Sequence, residues 1–416
     1  MKHCSLDEIL QPHGCLVFAE KYWQKLPLHI SREDSQFFSS LVSREQLEFL
    51  INTHGGRDDF PISVIGGRIG ETVPPEERGL RRTHWRSDNV YDRVSKGATV
   101  RIGNLAHYLE PVERLVSSFE AFLNTDIAVN LYLTPGGSQA FGAHFDKHDV
   151  FILQVEGSKI WKIFTPPENL PVEVVYKARQ QWFERKLPFE QNLAPLPSSA
   201  QLDREIVLSA GDLLYVPRGY VHQVFTSDQP SLHLTVAAPV ITWYEVAVHA
   251  LAGTFRESQT LRESVPPAFA TSEQRFCEAQ DRLTDVIAAV HTHLTEDKLR
   301  ASLDELALRY VNSRSGNWPG ISTAIGTKDV TTESLLQIRP SLIYTTRKEV
   351  PYIFLLFSGR ALRIPVQAES TLKYVQSVGR FRIADLPLAG TDLNHMALIK
   401  TMLERGFLEF VNEEQS

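Results

Sequence analysis

Cysteine is scarce in this chain: three in 416 residues, Cys4, Cys15 and Cys277, with no paired spacing. That excludes a disulfide framework and a cysteine-rich zinc module, and it suits a reduced, cytoplasmic setting. Long hydrophobic runs are missing too. No segment reaches the roughly 20 apolar residues that span a bilayer, and Met1-Lys2-His3-Cys4-Ser5 opens no signal-type stretch, so no membrane association is expected. A basic surplus is also lacking. The 43 Lys and Arg against 50 Asp and Glu leave a net charge of −7, which disfavours broad nucleic-acid binding and suits a basic partner. There is no Gly-x-Ser-x-Gly context for a serine hydrolase, no internal repeat and no low-complexity tract.

What is present is a globular composition, 43% hydrophobic and 22% charged, long enough for two or three domains. The most informative stretch is Ala143-His144-Phe145-Asp146, answered by His222 at the end of Gly211-Asp212-Leu213-Leu214-Tyr215-Val216-Pro217-Arg218-Gly219-Tyr220-Val221-His222. Two imidazoles and one carboxylate form the set that holds one face of a non-haem Fe(II) and leaves the other open for dioxygen chemistry; zinc is chemically possible in the same set. A lone His-x-Asp is a weak signal, so its surroundings matter. Residues 127–134, 150–155 and 159–164 read as strands, broken by Pro135-Gly136-Gly137-Ser138 and Glu156-Gly157-Ser158. Short strands at 206–208, 213–216 and 232–236 flank the second histidine. Side chains two apart in an extended segment share a face, so His144 and Asp146 can reach one ion. The pattern predicts a jelly roll whose sheets bring distant strands around one metal.

Asn130-Leu131-Tyr132-Leu133-Thr134-Pro135, Ser138-Gln139-Ala140-Phe141, His144-Phe145-Asp146, Asp149 to Gln154, Gly157, Lys159, Trp161, Pro217 to Gln223 and Ser231 to Thr235 together resemble the ribosomal oxygenases, JmjC-type protein hydroxylases of the cupin superfamily. The dense part of the likeness covers residues 127–240. The resemblance implies an α+β fold: a double-stranded β-helix (jelly-roll, cupin, JmjC-type) core with a helical dimerisation region and a C-terminal winged-helix domain. It implies His144, Asp146 and His222 as Fe(II) ligands. Lys159, thirteen positions after the aspartate, corresponds to the basic residue that pairs with the distal carboxylate of 2-oxoglutarate. Asn130 and Tyr132 correspond to positions lining the cosubstrate pocket, and Thr235 to a hydroxyl reaching the same carboxylate. The implied reaction is hydroxylation of a protein side chain, with a ribosomal protein as the implied substrate and a homodimer as the implied assembly. Two departures stand out. Ala237 occupies a position where histidyl-hydroxylating eukaryotic members carry serine, which puts a histidine substrate in doubt, and Phe145 stands where tyrosine is common. A hydroxylase of another peptide or small molecule, and a silent metal-binding cupin acting as a regulator through its winged helix, are the alternatives.

Other residues near the motif have blander readings. His148 and Asp149 read as surface or supporting groups, His233 as a hydrogen-bonded core histidine or one supporting the site, Trp161 and Phe164 as core, and Arg218 as a turn-stabilising arginine. Along the chain, residues 1–240 are read as the catalytic domain with an N-terminal prefix, including a short helix from Arg44 and a packing helix over 111–123. Glu76-Glu77-Arg78, Arg81 and Arg82 read as solvated charge, with Arg81, Arg82 and Arg86 as possible lining of a substrate entrance. Residues 241–311 carry amphipathic helical patterns, 312–344 read as a linker, and 345–416 as a winged-helix-like domain. That last stretch holds nine Lys and Arg against eight Asp and Glu, too few positive charges for a phosphate-binding surface, so protein docking is expected of it.

Overall fold

The computed structural model describes residues 5–69, 85–167, 169–171, 174–178, 181–185, 200–314, 330–340, 342–387 and 395–411. The charged stretch holding Arg78, Arg81 and Arg82 lies outside them, as does most of Asn312 to Gly320. The chain divides into two units, residues 1–240 and 241–416.

The first unit is built on antiparallel strands: β1 (Leu28–Ile30), β2 (Ile62–Ile65), β3 (Gly67–Arg68), β4 (Thr99–Ile102), β5 (Ala128–Thr134), β6 (Ser138–Gln139), β7 (Asp149–Glu156), β8 (Ser158–Phe164), β9 (Val174–Ala178), β10 (Gln181–Arg185), β11 (Leu202–Ser209), β12 (Leu213–Val216), β13 (Val221–Thr226) and β14 (Ser231–Ala238). Seven of them form one sheet in the order β1-β12-β7-β14-β5-β4-β2, and β11-β8-β13 form a second. Alternation along each strand assigns one set of side chains to each face of the large sheet. Leu131, Phe151, Leu153, Tyr215, Leu234 and Val236 face a core shared with Phe18, Phe38, Leu115 and Phe119 of the prefix. Val150, Ile152, Leu214 and Val216 face the other way and pack on Trp161, Ile163, Ile206 and Leu208 of the small sheet. Two sheets stacked on one apolar layer are the jelly roll expected from the strand pattern.

Local chemistry sets the element ends. The Arg44–His54 helix starts in a capping box, with the Ser43 hydroxyl accepting from the Gln46 amide and the Gln46 side chain returning to Ser43. The Glu110–Leu123 helix has proline in its first turn and ends at Asn124 in the left-handed region. Between β7 and β8 the chain turns through Gly157 at φ 65°, where a Cβ would lie 2.1 Å from the Pro230 carbonyl oxygen, so only glycine fits.

The second unit holds helices Trp243–Thr254, Gln259–Arg262, Glu273–Asp281, Leu283–His293 and Glu296–Ser313. The first opens in a Thr242–Glu245 capping box. The Glu273–Asp281 and Leu283–His293 helices bury no residue at all. Strands β15 (Leu335–Ile338), β16 (Tyr344–Glu349), β17 (Tyr352–Phe357), β18 (Arg360–Pro365), β19 (Arg380–Arg382) and β20 (Leu408–Phe410) follow, together with helices Glu369–Ser377 and His395–Glu404. They form two three-stranded antiparallel sheets, β16-β17-β18 and β19-β15-β20, around one core that includes Leu336, Leu355, Phe357, Leu372, Ile399 and Phe407.

One expectation changes here. Residues 312–344 are not linker throughout: β15 runs inside that range and Leu336 is fully buried. A four-residue apolar run between turn signals is too short to register as periodicity, and its burial depends on partners β19 and β20 far along the chain.

Candidate active site

The jelly-roll interior receives the odd-numbered side chains of β8, the even-numbered side chains of β11 and β13, and the inward-facing residues of β4, β5, β7, β12 and β14. Near its mouth the main chains of the two predicted histidines pair with each other. The His144 N–H donates to the His222 carbonyl at 3.0 Å, and the His222 N–H to the His144 carbonyl at 2.7 Å, a two-bond bridge outside the named strands. The imidazole centroids are 4.4 Å apart. Asp146 completes the group: His144, Asp146 and His222 each offer one ligand atom, all within 4.8 Å of one another, with Asp146 Oδ2 3.7 Å from His222 Nε2.

Both rings are held in the same tautomer by the same local device. Nδ1 of His144 meets the Gly142 carbonyl at 2.9 Å, and Nδ1 of His222 meets the Tyr220 carbonyl at 3.2 Å. A carbonyl only accepts, so Nδ1 carries the proton and the Nε2 lone pair is free for a metal. Burial, and then neighbouring His144, pull His222 down to about 4 against the opposing pull of Asp146, which keeps the ring in its neutral, ligating form. Trp161 flanks His222 at a centroid distance of 5.7 Å.

The loop leading to His144 is fixed by close backbone contact. β3 pairs with β6, and Gly66 at φ 71° lies so close to this loop that a Cβ there would stand 2.0 Å from the Gln139 carbonyl oxygen. The second ligand-bearing turn is tied from the opposite side. Asp149, fully buried, accepts a 2.5 Å hydrogen bond from Tyr215 Oη, which itself accepts from the Gln24 amide at 2.8 Å. Burial pushes the Asp149 carboxyl up to about 6, opposed by the Tyr215 bond and then by the charge and amide of Arg218. Asp149 is therefore a buried brace between β7 and the Pro217–Tyr220 turn, not a surface group, and Arg218 serves that turn as the sequence suggested.

Deeper in the barrel is Lys159, 3% exposed. Its Nζ donates to Thr134 Oγ1 at 2.9 Å, and among the described residues no carboxylate pairs with it. Burial alone lowers its ammonium to about 7. A buried ammonium with no counter-ion is unfavourable in isolation and favours an anion beside it. Two other buried polar atoms, Trp161 Nε1 on the same strand and His233 Nδ1 on β14, have no hydrogen-bond partner. His233 Nδ1 is thus unpaired, and of the two expected readings the supporting one fits its place. The ring stacks on Tyr132 at 5.0 Å, and burial, with the Lys159 charge, holds it well below the ordinary histidine range.

Asn130 accepts from Arg101 Nη2 at 3.1 Å. Tyr132 carries a phenol raised by burial, with Arg101 and Asp146 as its charged neighbours. Thr235, half-buried on β14, lies in register with Asn130 on one side and Ile152 on the other. The structure thus brings Asn130, Tyr132, Lys159 and Thr235 to the barrel interior that His144, Asp146 and His222 face. Arg101, Thr99 and Thr134 escaped the sequence reading. Their places depend on β4 pairing with β5 about thirty residues on, which no local pattern announces. Arg86, the one entrance candidate among the described residues, caps the Ser87–Ser95 helix without a side-chain bond.

Comparison with known proteins adds an independent line. The JmjC domain family model matches residues 106–246, a span that contains His144, Asp146 and His222. The chain is 29% identical over 316 residues to the Aedes aegypti bifunctional lysine-specific demethylase and histidyl-hydroxylase NO66, covering 73% of this chain and 47% of that protein. It is 33% identical over 235 residues to the Drosophila melanogaster protein of the same name, covering 56% and 33%. The chain therefore spans half or less of the length of these curated relatives. The crystal structure of Escherichia coli ribosomal oxygenase YcfD aligns over 95% of this chain and 97% of that chain, with a TM-score of 0.49 and 15% identity.

Proposed function

Because the JmjC domain family model matches residues 106–246 of this chain, we propose that the protein is a 2-oxoglutarate- and Fe(II)-dependent oxygenase that hydroxylates a protein side chain. The observation that carries this reading is Lys159, a buried ammonium without a carboxylate, in the barrel that His144, Asp146 and His222 face. One carboxylate and two Nε2 lone pairs would hold iron with its other face open, and Lys159 would receive the distal carboxylate of the cosubstrate. The orphaned Trp161 Nε1 and His233 Nδ1 fit a polar occupant of this interior. When bound, iron and 2-oxoglutarate supply the oxidising chemistry: dioxygen and 2-oxoglutarate are consumed, carbon dioxide and succinate leave, and one oxygen atom enters a C–H bond. The chain's own part is to fix the tautomers through Gly142 and Tyr220, to neutralise the cosubstrate charge through Lys159, and to line the pocket with Asn130, Tyr132 and Thr235.

A ribosomal protein is the proposed substrate. The resemblance of residues 127–240 to ribosomal oxygenases supports it, as does a net charge of −7 facing a basic class of partner. The relatives are named for histidyl hydroxylation and lysine demethylation, yet Ala237 offers no side-chain hydroxyl on the inner face of β14, so the residue modified here is a different one or is held differently.

A homodimer formed through the helical part of the second unit is also proposed. Trp243, Phe276, Leu283 and Ile287 are exposed there, the last two at 55% and 58%, and Leu283 and Ile287 stand one turn apart on one helix. Such a stripe needs a covering surface. The C-terminal part of the unit, proposed as a winged-helix-like module, has too little net positive charge for a phosphate-binding role, which supports protein docking.

The test is succinate release by the Fe(II)-loaded protein supplied with 2-oxoglutarate and dioxygen, with His144→Ala as control. Turnover that disappears in the control supports the reading; a folded, iron-loaded wild type that releases no succinate contradicts it.

A further inference from the structure

One face of the β16-β17-β18 sheet carries cations that the protein itself does not pair. Residues opposite one another in an antiparallel pair point to the same side, so Arg347, Phe354 and Arg363 form one row across the three strands. The other side of the sheet is core, with Ile353, Leu355, Phe357 and Ile364 buried. Both arginines are exposed, and Phe354 is half-buried between them. Tyr352, next on the same side of β17, is 38% exposed and has the Arg363 guanidinium over its ring at 5.5 Å. The lysine of this sheet is placed differently: Lys348, on the core side, pairs with Glu369, which also takes Lys373. Among the described residues no carboxylate pairs with Arg347 or Arg363.

We infer that this face is a docking site for an acidic amphipathic helix of a protein partner, laid across the three strands. The row sets the spacing. Arg347 and Arg363 stand two strand spacings apart, about 10 Å. Seven residues of helix also cover about 10 Å, and positions i, i+3, i+4 and i+7 share one face. A helix with carboxylates at i and i+7 and an apolar residue between them puts one anion on each guanidinium and the apolar group on Phe354. An extended segment fits less well, because its residues on one face stand about 7 or 13 Å apart. Single-stranded nucleic acid also stacks on aromatic sheet faces, but it needs a basic track for its phosphates. Here Glu349 lies in register with Tyr352, and residues 345–416 hold only nine Lys and Arg against eight Asp and Glu. The inference rests on the protein-docking reading of this module and is independent of the oxygenase reading.

The test is fluorescence anisotropy of a labelled alanine–glutamine helical peptide titrated with the full chain. The peptide carries glutamates at i and i+7 and leucines at i+3 and i+4. Saturable binding is expected. Replacing both glutamates by glutamine weakens it about tenfold, on the order of threefold for each exposed ion pair. Moving the second glutamate to i+9, on the opposite side of the helix, keeps the net charge and weakens binding about threefold. Arg347→Gln combined with Arg363→Gln weakens the glutamate peptide by the same tenfold. Arg347→Glu combined with Arg363→Glu loses the glutamate peptide and binds its lysine counterpart instead, at an unchanged melting temperature. Absence of saturable binding, equal affinity for the i+7 and i+9 peptides, or failure of the charge exchange overturns the inference and leaves the wider protein-docking reading standing. Labelled oligouridine that binds more tightly than the peptide, and is lost in the Arg347→Gln, Arg363→Gln variant, overturns both.

Discussion

His144 and His222 are joined through their main chains by two reciprocal hydrogen bonds, 3.0 and 2.7 Å, although 78 positions separate them in the sequence. This bridge sets the spacing of the imidazoles before any metal arrives. The preorganisation extends outward to the Gly66 contact on one side and the Asp149 brace on the other, so the site's accuracy depends on residues that would touch neither iron nor substrate.

Gly66→Ala tests the first of these supports. A Cβ at this position would meet the Gln139 carbonyl at 2.0 Å, and φ 71° is itself unfavourable for alanine. The variant is expected to lose about 1–3 kcal/mol of stability and to bind Fe(II) more weakly, as the loop bearing His144 shifts. Chemical denaturation and a metal titration on the same preparation check both effects.

Much of this site is legible in the sequence, for a definite reason. His144 and Asp146 are local partners, and the turn before His222 announces itself through Gly211, Pro217 and Gly219. Strands β5, β7, β8 and β14 follow from alternation and Gly or Pro breaks. Lys159 is visible only through resemblance, because a lysine on a strand normally points to water. Thr134, Thr99 and Arg101 are hidden because their roles arise from pairing between strands; nothing adjacent to them in the chain marks them. For Asp149 the sequence left a surface or a supporting role open for the same reason: the partner that decides between them, Tyr215, lies 66 positions away.

Lys159→Met should separate stability from function. The folded protein holds this lysine at about 7, below its ordinary value of 10.5, so the unfolded chain binds more protons between those values. The cost of burying the ammonium is therefore fully present below pH 7 and is relieved as pH rises toward 10.5. Methionine removes that cost. The ligand-free variant is expected to melt higher than wild type at pH 7, with the difference shrinking at higher pH, while 2-oxoglutarate binding falls roughly 10- to 100-fold. Thermal melts across this pH range, with and without 2-oxoglutarate, check the sign.

Asp149→Asn predicts the opposite slope at acid pH. The carboxyl is raised from 3.8 to about 6 in the folded protein, so the folded state binds the extra proton between those values. Stability contributed by the protonated form is present below about pH 4 and is lost as pH rises through 6. The wild type should lose stability across this window relative to the variant, measured by denaturant unfolding at pH 4, 5, 6 and 7. Parallel profiles would mean that Asp149 does not titrate there.

Ile287→Asp tests the proposed dimer. A carboxylate in the exposed stripe of the Leu283–His293 helix costs nothing in a monomer and opposes burial in an interface. Sedimentation velocity should show a dimeric wild type and a monomeric variant. A monomeric wild type at micromolar concentration removes this part of the account.

The most direct test of the central claim is mass spectrometry of isolated ribosomal proteins after incubation with the protein, Fe(II), 2-oxoglutarate and ¹⁸O-labelled dioxygen, with His144→Ala alongside. The account predicts one labelled oxygen atom on a single side chain, formed together with succinate and absent from the control. Succinate without a modified ribosomal protein would contradict the substrate assignment. A folded, iron-loaded wild type that yields neither product would contradict the oxygenase itself.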